Sequence, residues 1–146
     1  MEYDYLDIDR LFRTIYGEAR SETHMGKLAV GYVVCNRAKI AKEYYEKHKR
    51  GHPLYGSGTP ASACTMPYQF SCWNLDDPNL EIIIALKADS PKMTPYIKAA
   101  REALAETEPD PTNRATHYHT MDILPDWAVG QIPTVTIGHH KFYNLG

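Results

Sequence analysis

The segment from Thr23 to Ala41 constrains the fold most, because it is apolar on nearly every side. Helical spacing places one group of its residues on a single face: Met25, Leu28, Ala29, Tyr32, Val33 and Asn36. Val30 and Val34 extend the apolar character to the remaining faces. A helix that is apolar all round is buried in a protein interior. The sequence therefore predicts a central helix, followed by a charged, solvated end over residues 42–50.

Shorter elements are predicted around this helix. Apolar residues recur every three or four positions from Asp7 to Arg20, which predicts an amphipathic helix that Asp4 or Asp7 caps. Residues 51–67 are rich in Gly, Pro, Ser and Thr and predict a loop, and a further helix is predicted over 96–106. Residues 116–119 and 134–137 have the β-branched and aromatic content of strands. The order predicts an α+β fold, predominantly helical, with a small antiparallel sheet in the C-terminal third.

Size and charge narrow the class of protein. A chain of 146 residues has the length of one ordinary domain, so we expect a single domain over residues 1–146 and a monomer. The formal net charge of −2 disfavours nucleic acid as a partner. No stretch approaches the roughly 20 apolar residues of a membrane span. The acidic start, Met1 to Tyr5, lacks a secretory signal, so we expect synthesis in the cytoplasm.

Cys35, Cys64 and Cys72 form an odd set without a CxxC pair. That pattern argues against a disulfide framework and against a sulfur-ligated zinc site. Buried thiols are the simplest interpretation, while a bridge between Cys64 and Cys72 stays open. A Cys–His nucleophile is the least supported alternative, because no cysteine lies in a local signature.

Glu18 stands out by its position. It follows Leu11 and Ile15 on the apolar stripe of the first predicted helix. A glutamate without a specific function is not expected on this core-facing side. Burial favours a protonated carboxyl, which a general acid needs. The alternative is a partly buried structural glutamate paired with Arg13, Arg20 or Arg37. Gly17 favours the functional interpretation, since glycine inside a helix is costly unless something must approach closely.

Histidines and aromatic residues form two further sets of candidates. His117 and His119 alternate in a predicted strand, and His139 and His140 follow near the end of the chain, so zinc ligation with Glu18 as the base is one hypothesis. Wall or surface histidines are the alternative. Sugar rings need flat aromatic platforms with polar groups around them, and the residues of this kind are Tyr68, Gln69, Phe70, Trp73, Tyr118 and Trp127.

Several ordered segments together resemble the SleB/CwlJ-type cell wall hydrolases. The hallmark is similar to residues 14–20, Thr-Ile-Tyr-Gly-Glu-Ala-Arg, followed by residues 25–30 and by Asn36-Arg37. The middle motif is similar to residues 69–72, Gln-Phe-Ser-Cys. The C-terminal motifs are similar to residues 110–112, 115–119, 125–128 and 137–143. The order holds from about Leu11 to Tyr143.

One departure is Ser21 where many relatives have glycine, which we interpret as a harmless turn change; the loop over 51–67 is also longer than in spore enzymes.

This resemblance implies a lysozyme-like domain, peptidoglycan glycan strands as the substrate, and Glu18 as the catalytic acid and base. It implies no required metal or other cofactor. Because no peptidoglycan-binding repeat or signal precedes the domain, we expect a lysin, of phage or prophage origin, or an accessory hydrolase rather than a spore-specific enzyme. We expect the following residues to bind the substrate: Tyr16, Gln69, Phe70, Ser71, Thr116, His117, Tyr118, His119, Trp127 and His139.

The mechanism is predicted from the lack of a convincing second catalytic carboxylate in the sequence. Glycosidases usually use two carboxylates, and only Glu18 is a convincing candidate, which favours a lytic transglycosylase. A hydrolytic muramidase or glucosaminidase is the alternative, with Asp76, Asp77 or Asp122 as the second carboxylate. Two other classes stay open: a zinc amidase or peptidase using His117, His119 and His140, and a carbohydrate-binding module without catalysis.

Overall fold

A computed structural model describes residues 1–146 and confirms the α+β prediction. The helices are α1 (Tyr5–Ala19), α2 (His24–His48), α3 (Pro60–Thr65), α4 (Asn79–Ala85) and α5 (Thr94–Ala105). The strands are β1 (His117–Thr120), β2 (Val135–Ile137) and β3 (His140–Tyr143), which form one antiparallel sheet near the C-terminus. None of the helices combines the length and the apolar character that a membrane crossing requires.

Helix α2 is the predicted central helix. Val30, Val33 and Val34 are completely inaccessible to solvent. The Thr23 side chain caps the first turn by accepting the N–H of Gly26, and Lys49 ends the helix in a left-handed conformation. The predicted solvated end continues the helix to His48 and is mostly exposed, because a polar helix end needs no core to stay formed once the buried part is in place.

Helix α1 begins two residues before the predicted start and uses both predicted caps. Asp4 accepts the N–H of Asp7 at 3.1 Å, and Asp7 accepts the N–H of Asp4 at 2.9 Å, which closes a capping box. Asp7 also accepts the N–H of Ala61 at 2.9 Å, so the same carboxylate ties α1 to α3. The apolar stripe of α1, including Leu11 and Ile15, is buried.

The prediction that residues 51–67 form only a loop was wrong for Pro60–Thr65. Thr59 accepts the N–H of Ser62 as an N-cap, and Pro60 occupies the first turn, where its missing N–H costs nothing. Ala63 and Cys64 then enter the core. Helix α4 was not predicted either, because it is short and buries only Ile83.

The sheet has the order β1-β3-β2, and β3 was not predicted as a strand. Tyr118 pairs with Phe142 and Thr120 pairs with His140, so these four side chains share one face. His117, His119 and Tyr143 lie on the other face. The first face packs on the helices, since Phe142 and Tyr118 join a core cluster that also contains Leu11, Ile15 and much of α2. The C-terminal end of α1 thus meets this face of the sheet.

Candidate active site

Glu18 lies in the last turn of α1 and is half-buried. Gly17 lets the short 3-10 turn Ser71–Trp73 approach this end of the helix. A Cβ atom at residue 17 would stand 2.6 Å from the Cβ of Cys72 and 2.7 Å from its sulfur, closer than side chains pack. Glycine is therefore required here, and the buried Cys72 thiol lies beside Glu18. Burial and the negative charge of Glu18 raise the pKa of Cys72, so the thiol stays protonated.

Tyr118 of β1 approaches Glu18 from the sheet. Its hydroxyl donates a hydrogen bond of 2.6 Å to Oε1 of Glu18. Burial, and then the negative charge of Glu18, raise the pKa of Tyr118 well above its ordinary value, so the phenol remains a donor. Tyr118 is packed by the rings of Phe142 and His140, with centroids 5.7 and 4.9 Å away. The carboxyl of Glu18 is thus oriented through one oxygen by a group that keeps its proton.

Arg37 is a buried cation behind these two residues. Its Nε donates to the carbonyl oxygen of Thr116 at 2.7 Å, and its Nη1 donates to Oε1 of Gln69 at 3.3 Å. The guanidinium also lies over the Phe70 ring, 4.8 Å from the centroid. Burial lowers the pKa of Arg37, while the charge of Glu18 opposes that shift. Arg37 therefore joins the central helix to the residue that precedes β1 and to the 69–70 motif, and supplies positive charge near Glu18.

A second glutamate, Glu22, lies four residues after Glu18 in the turn between α1 and α2, and is buried. Its Oε1 accepts the backbone N–H of His139 at 2.8 Å, and its Oε2 is 2.7 Å from Nδ1 of the same residue. Although burial opposes it, the hydrogen bonds from His139 lower the pKa of Glu22, so this carboxylate is ionised. Glu22 thus joins the α1–α2 turn to the turn between β2 and β3.

Comparison with known families identifies the family of this chain. The model of the family described as cell wall hydrolase matches residues 21–143. The chain belongs to the cell wall hydrolase family. The matched range begins after Glu18, so the assignment of Glu18 depends on the hallmark segment and on the site geometry. A sequence comparison with curated proteins finds no match.

Two solved structures share the fold of this cell wall hydrolase. The catalytic domain of the Bacillus cereus SleB protein is 24% identical, with a TM-score of 0.71 over 97% of this chain and 92% of that chain. The catalytic domain of SleB from Bacillus anthracis, described as a germination-specific lytic transglycosylase, is 23% identical, with a TM-score of 0.69 over 97% and 96% of the two chains. The two structures confirm the predicted fold, and the family match confirms the predicted cell wall hydrolase family, so the chain is an enzyme that acts on the cell wall.

Several predicted substrate-binding residues of this cell wall hydrolase are parts of the scaffold around Glu18. Phe70 and Thr116 are buried, and Gln69 accepts its hydrogen bond from Arg37. Thr116 Oγ1 also accepts the N–H of Leu145 at 3.2 Å. Ser71 is exposed and starts the turn that carries Cys72. Among these residues, Ser71 is the one whose side chain is free to reach a substrate.

His117, His119 and Trp127 gather on the face of the sheet opposite Tyr118. The Trp127 ring lies 5.0 Å from the ring of His117 and 5.7 Å from that of His119, and Trp127 is 37% exposed. Burial and the nearby charge of Arg37 lower the pKa of His117 to about 4. His117 is therefore neutral at ordinary pH, and this aromatic group stays a predicted sugar platform, separate from the Tyr118 face.

Tyr16 and His139, also predicted to bind substrate, are engaged by neighbouring side chains. The half-buried Tyr16 packs edge-on against Tyr96, with centroids 4.9 Å apart, and the Arg20 guanidinium lies 4.2 Å from its ring centroid. His139 is exposed, but its ring is bonded to Glu22. Tyr16 thus packs between Tyr96 and Arg20, whereas His139 belongs to the Glu22 contact.

The histidines do not form the hypothesised zinc site. His117 and His119 share one face of the sheet, whereas His140 pairs with Thr120 on the other face. His119 is further committed to Tyr143, whose hydroxyl is 2.8 Å from its Nε2. No three His, Cys, Asp or Glu side chains are arranged to hold a metal ion. Alternation along β1 was predicted correctly, but β3 places its histidine on the opposite face.

All three cysteines are free and buried, so the Cys64–Cys72 bridge is not formed. Burial raises the pKa of Cys35 and of Cys64 to about 12. Unreactive, protonated thiols do not serve as nucleophiles, which disfavours the Cys–His alternative. The sequence analysis named Arg37 only as a motif residue and as one alternative partner of Glu18, and it did not single out Glu22, whose partner His139 is far away in the chain.

Proposed function

We propose that this cell wall hydrolase cleaves the glycan backbone between N-acetylmuramic acid and N-acetylglucosamine as a lytic transglycosylase, with Glu18 as its single acid and base. One observation carries the proposal: a half-buried carboxyl held through one oxygen by Tyr118, at the junction of helix and sheet. The hallmark segment around Glu18 and the lytic transglycosylase activity attributed to the Bacillus anthracis protein support it.

The other carboxylates support a mechanism with a single carboxyl group. Asp77 accepts the N–H of Asn79 at 2.8 Å and belongs to the start of α4. Asp76 and Asp122 are exposed on loops, and Glu22 is occupied by His139. None of these four carboxylates shares a hydrogen-bond donor with Glu18. Hydrolytic glycosidases, in contrast, place two carboxyl groups on opposite sides of one glycosidic bond.

The reaction needs one group that gives and then takes the same proton. Glu18 protonates the oxygen that leaves C1 of N-acetylmuramic acid, and the glycosidic C–O bond breaks. The C6 hydroxyl of the same sugar then attacks C1 while Glu18 removes its proton, which forms a 1,6-anhydro ring and restores the acid. Tyr118 fixes Oε1, which leaves Oε2 to face the glycosidic oxygen. The neighbouring Cys72 thiol adds no charge to this site.

Product mass tests the proposal. Purified peptidoglycan is digested with the wild type and with Glu18→Gln, and the muropeptides are weighed. We expect anhydromuramyl ends, one water lighter than reducing ends, from the wild type and no new ends from the variant. Reducing ends alone would identify a muramidase or glucosaminidase instead.

We also propose that residues 1–146 act as one catalytic domain and as a monomer, in a phage or prophage lysin. The continuous core, which runs from α1 to β3, supports the single domain. Sedimentation of the purified chain tests the monomer, and lysis of cells after expression with and without a separately supplied export route tests the lysin role.

A further inference from the structure

The buried pair Glu22 and His140 has no part in the proton transfers described above, yet it contacts the residue that orients Glu18. His140 is buried, and its Nδ1 lies 3.4 Å from Oε1 of Glu22 without forming a hydrogen bond. A buried polar atom without a partner is costly. The unpartnered Nδ1 of His140 therefore suggests that this residue has a role that offsets the cost.

The contacts continue from His140 to the catalytic carboxyl. The His140 ring meets Tyr118 edge-on, with centroids 4.9 Å apart and planes at 71°. The Tyr118 hydroxyl donates to Glu18 at 2.6 Å. A line of direct contacts therefore runs from Glu22 through His140 and Tyr118 to Glu18, and it crosses from the α1–α2 turn to the sheet and back to α1.

The turn between β2 and β3 is shaped to admit the Glu22 carboxylate. Gly138 has a φ of +57°, in the left-handed region, and a Cβ there would overlap Oε1 of Glu22. The next residue donates its backbone N–H to this oxygen. Glycine at this position thus allows the carboxylate to reach the start of β3, which carries His140.

We propose that Glu22 and His140 are positioning residues that set the contact between Tyr118 and Glu18. The Glu22 carboxylate holds the start of β3 against the α1–α2 turn, and His140 holds the Tyr118 ring so that its hydroxyl reaches Oε1. The charged and titratable groups around the pair are His139 from the β2–β3 turn, Tyr118 from the same face of β1, His119 from the opposite face of β1, and Lys27 from α2, whose Nζ donates to the Glu22 carbonyl oxygen. The inference depends on the proposed role of Glu18.

A double-mutant cycle tests whether Glu22 acts through Tyr118. Turnover of soluble glycan strands is measured for Glu22→Gln, Tyr118→Phe and the double variant. We expect Glu22→Gln to lower kcat about 10-fold with KM within about 2-fold, and to lower it by less than about 2-fold when Tyr118 is already Phe, because coupled residues are non-additive. A merely structural role predicts the same loss in both backgrounds.

The control is Glu102→Gln, which changes a half-buried glutamate that contacts His24 on the far side of α2 and α5. Its kcat should equal that of the wild type. Equal kcat values for Glu22→Gln and Glu102→Gln, or full additivity in the cycle, would overturn the positioning role. If Glu22→Gln does not fold, the same cycle is run with His140→Phe, which keeps the ring contact and removes Nδ1, and the same criterion applies.

Glu18→Gln is measured in the same series to separate the two proposals. Loss of turnover in Glu18→Gln with an additive cycle contradicts only the positioning role. Retained turnover in Glu18→Gln contradicts the proposed function itself.

Discussion

The end of α1 meets the sheet at two places, each through a glutamate, and the two contacts differ in how completely the carboxylate is bound. Glu18 is half-buried and accepts one hydrogen bond from Tyr118. Glu22 is buried, and both of its oxygens are bound by His139. A carboxylate bound through one oxygen can still exchange a proton, whereas one bound through both is a structural anion. Under the proposed function, the same residue type thus serves chemistry at one contact and architecture at the other.

The strongest test of this contrast is Glu18→Gln. An amide cannot donate the proton, so we expect kcat to fall by about 10²–10⁴-fold, the usual contribution of a general acid. Thermal unfolding should stay close to the wild-type value, because Gln can still accept the Tyr118 hydrogen bond. Glycan turnover and differential scanning calorimetry measure the two effects. A large loss of stability would mean that Glu18 is as structural as Glu22.

Glu22→Ala should mainly affect the stability of the fold, in contrast to Glu18→Gln, which should mainly affect turnover. This substitution of Glu22 leaves the backbone N–H of His139 without its hydrogen-bond partner and removes the carboxylate that faces the buried His140, so we expect a loss of about 1–3 kcal/mol in the free energy of unfolding. Urea denaturation followed by circular dichroism measures this quantity. Glu102→Ala is the matched control and should cost less, since its partner His24 is largely exposed. Equal losses would remove the distinction between the two glutamates.

Gly17→Ala probes the packing that defines the Glu18 contact. The added methyl must displace Cys72 or bend the helix, and overpacking of this kind costs about 1–3 kcal/mol. We also expect kcat to fall, because the 71–73 turn moves away from Glu18. Gly51→Ala is the control: its Cβ would meet only ordinary contacts of 3.5 Å or more, so stability and turnover should not change.

The smallest effect concerns pH and the Glu22 contact alone. The pKa of Glu22 is lowered, so its stabilisation is present above its unfolded pKa and is lost as pH falls through the folded pKa. The pKa of His139 is raised by Glu22, so its stabilisation is present below its unfolded pKa of about 6.5 and is lost as pH rises through the folded value. The melting-temperature difference between wild type and Glu22→Gln should therefore peak between about pH 5 and 6.5. A difference independent of pH would contradict the ion pair.

The two glutamates also show what a sequence can and cannot predict. Glu18 was found because helical spacing and its hallmark are local properties. Glu22 was not singled out, because its partner His139 is 117 residues away in the chain. The zinc hypothesis failed for a related reason: the alternation of His117 and His119 is local, but the face on which His140 lies depends on the pairing of β1 with β3. Helix α3 was missed because loop composition concealed the cap at Thr59 and the proline that follows it.

The three buried thiols have a consequence for when this enzyme becomes active. Since Cys35, Cys64 and Cys72 are unpaired and shielded from oxidants, the native state needs no oxidising compartment and does not change when the redox potential does. A chain of this kind reaches its final shape equally well in a reducing cytosol and in an oxidising envelope. The enzyme therefore does not depend on disulfide formation before it can be active.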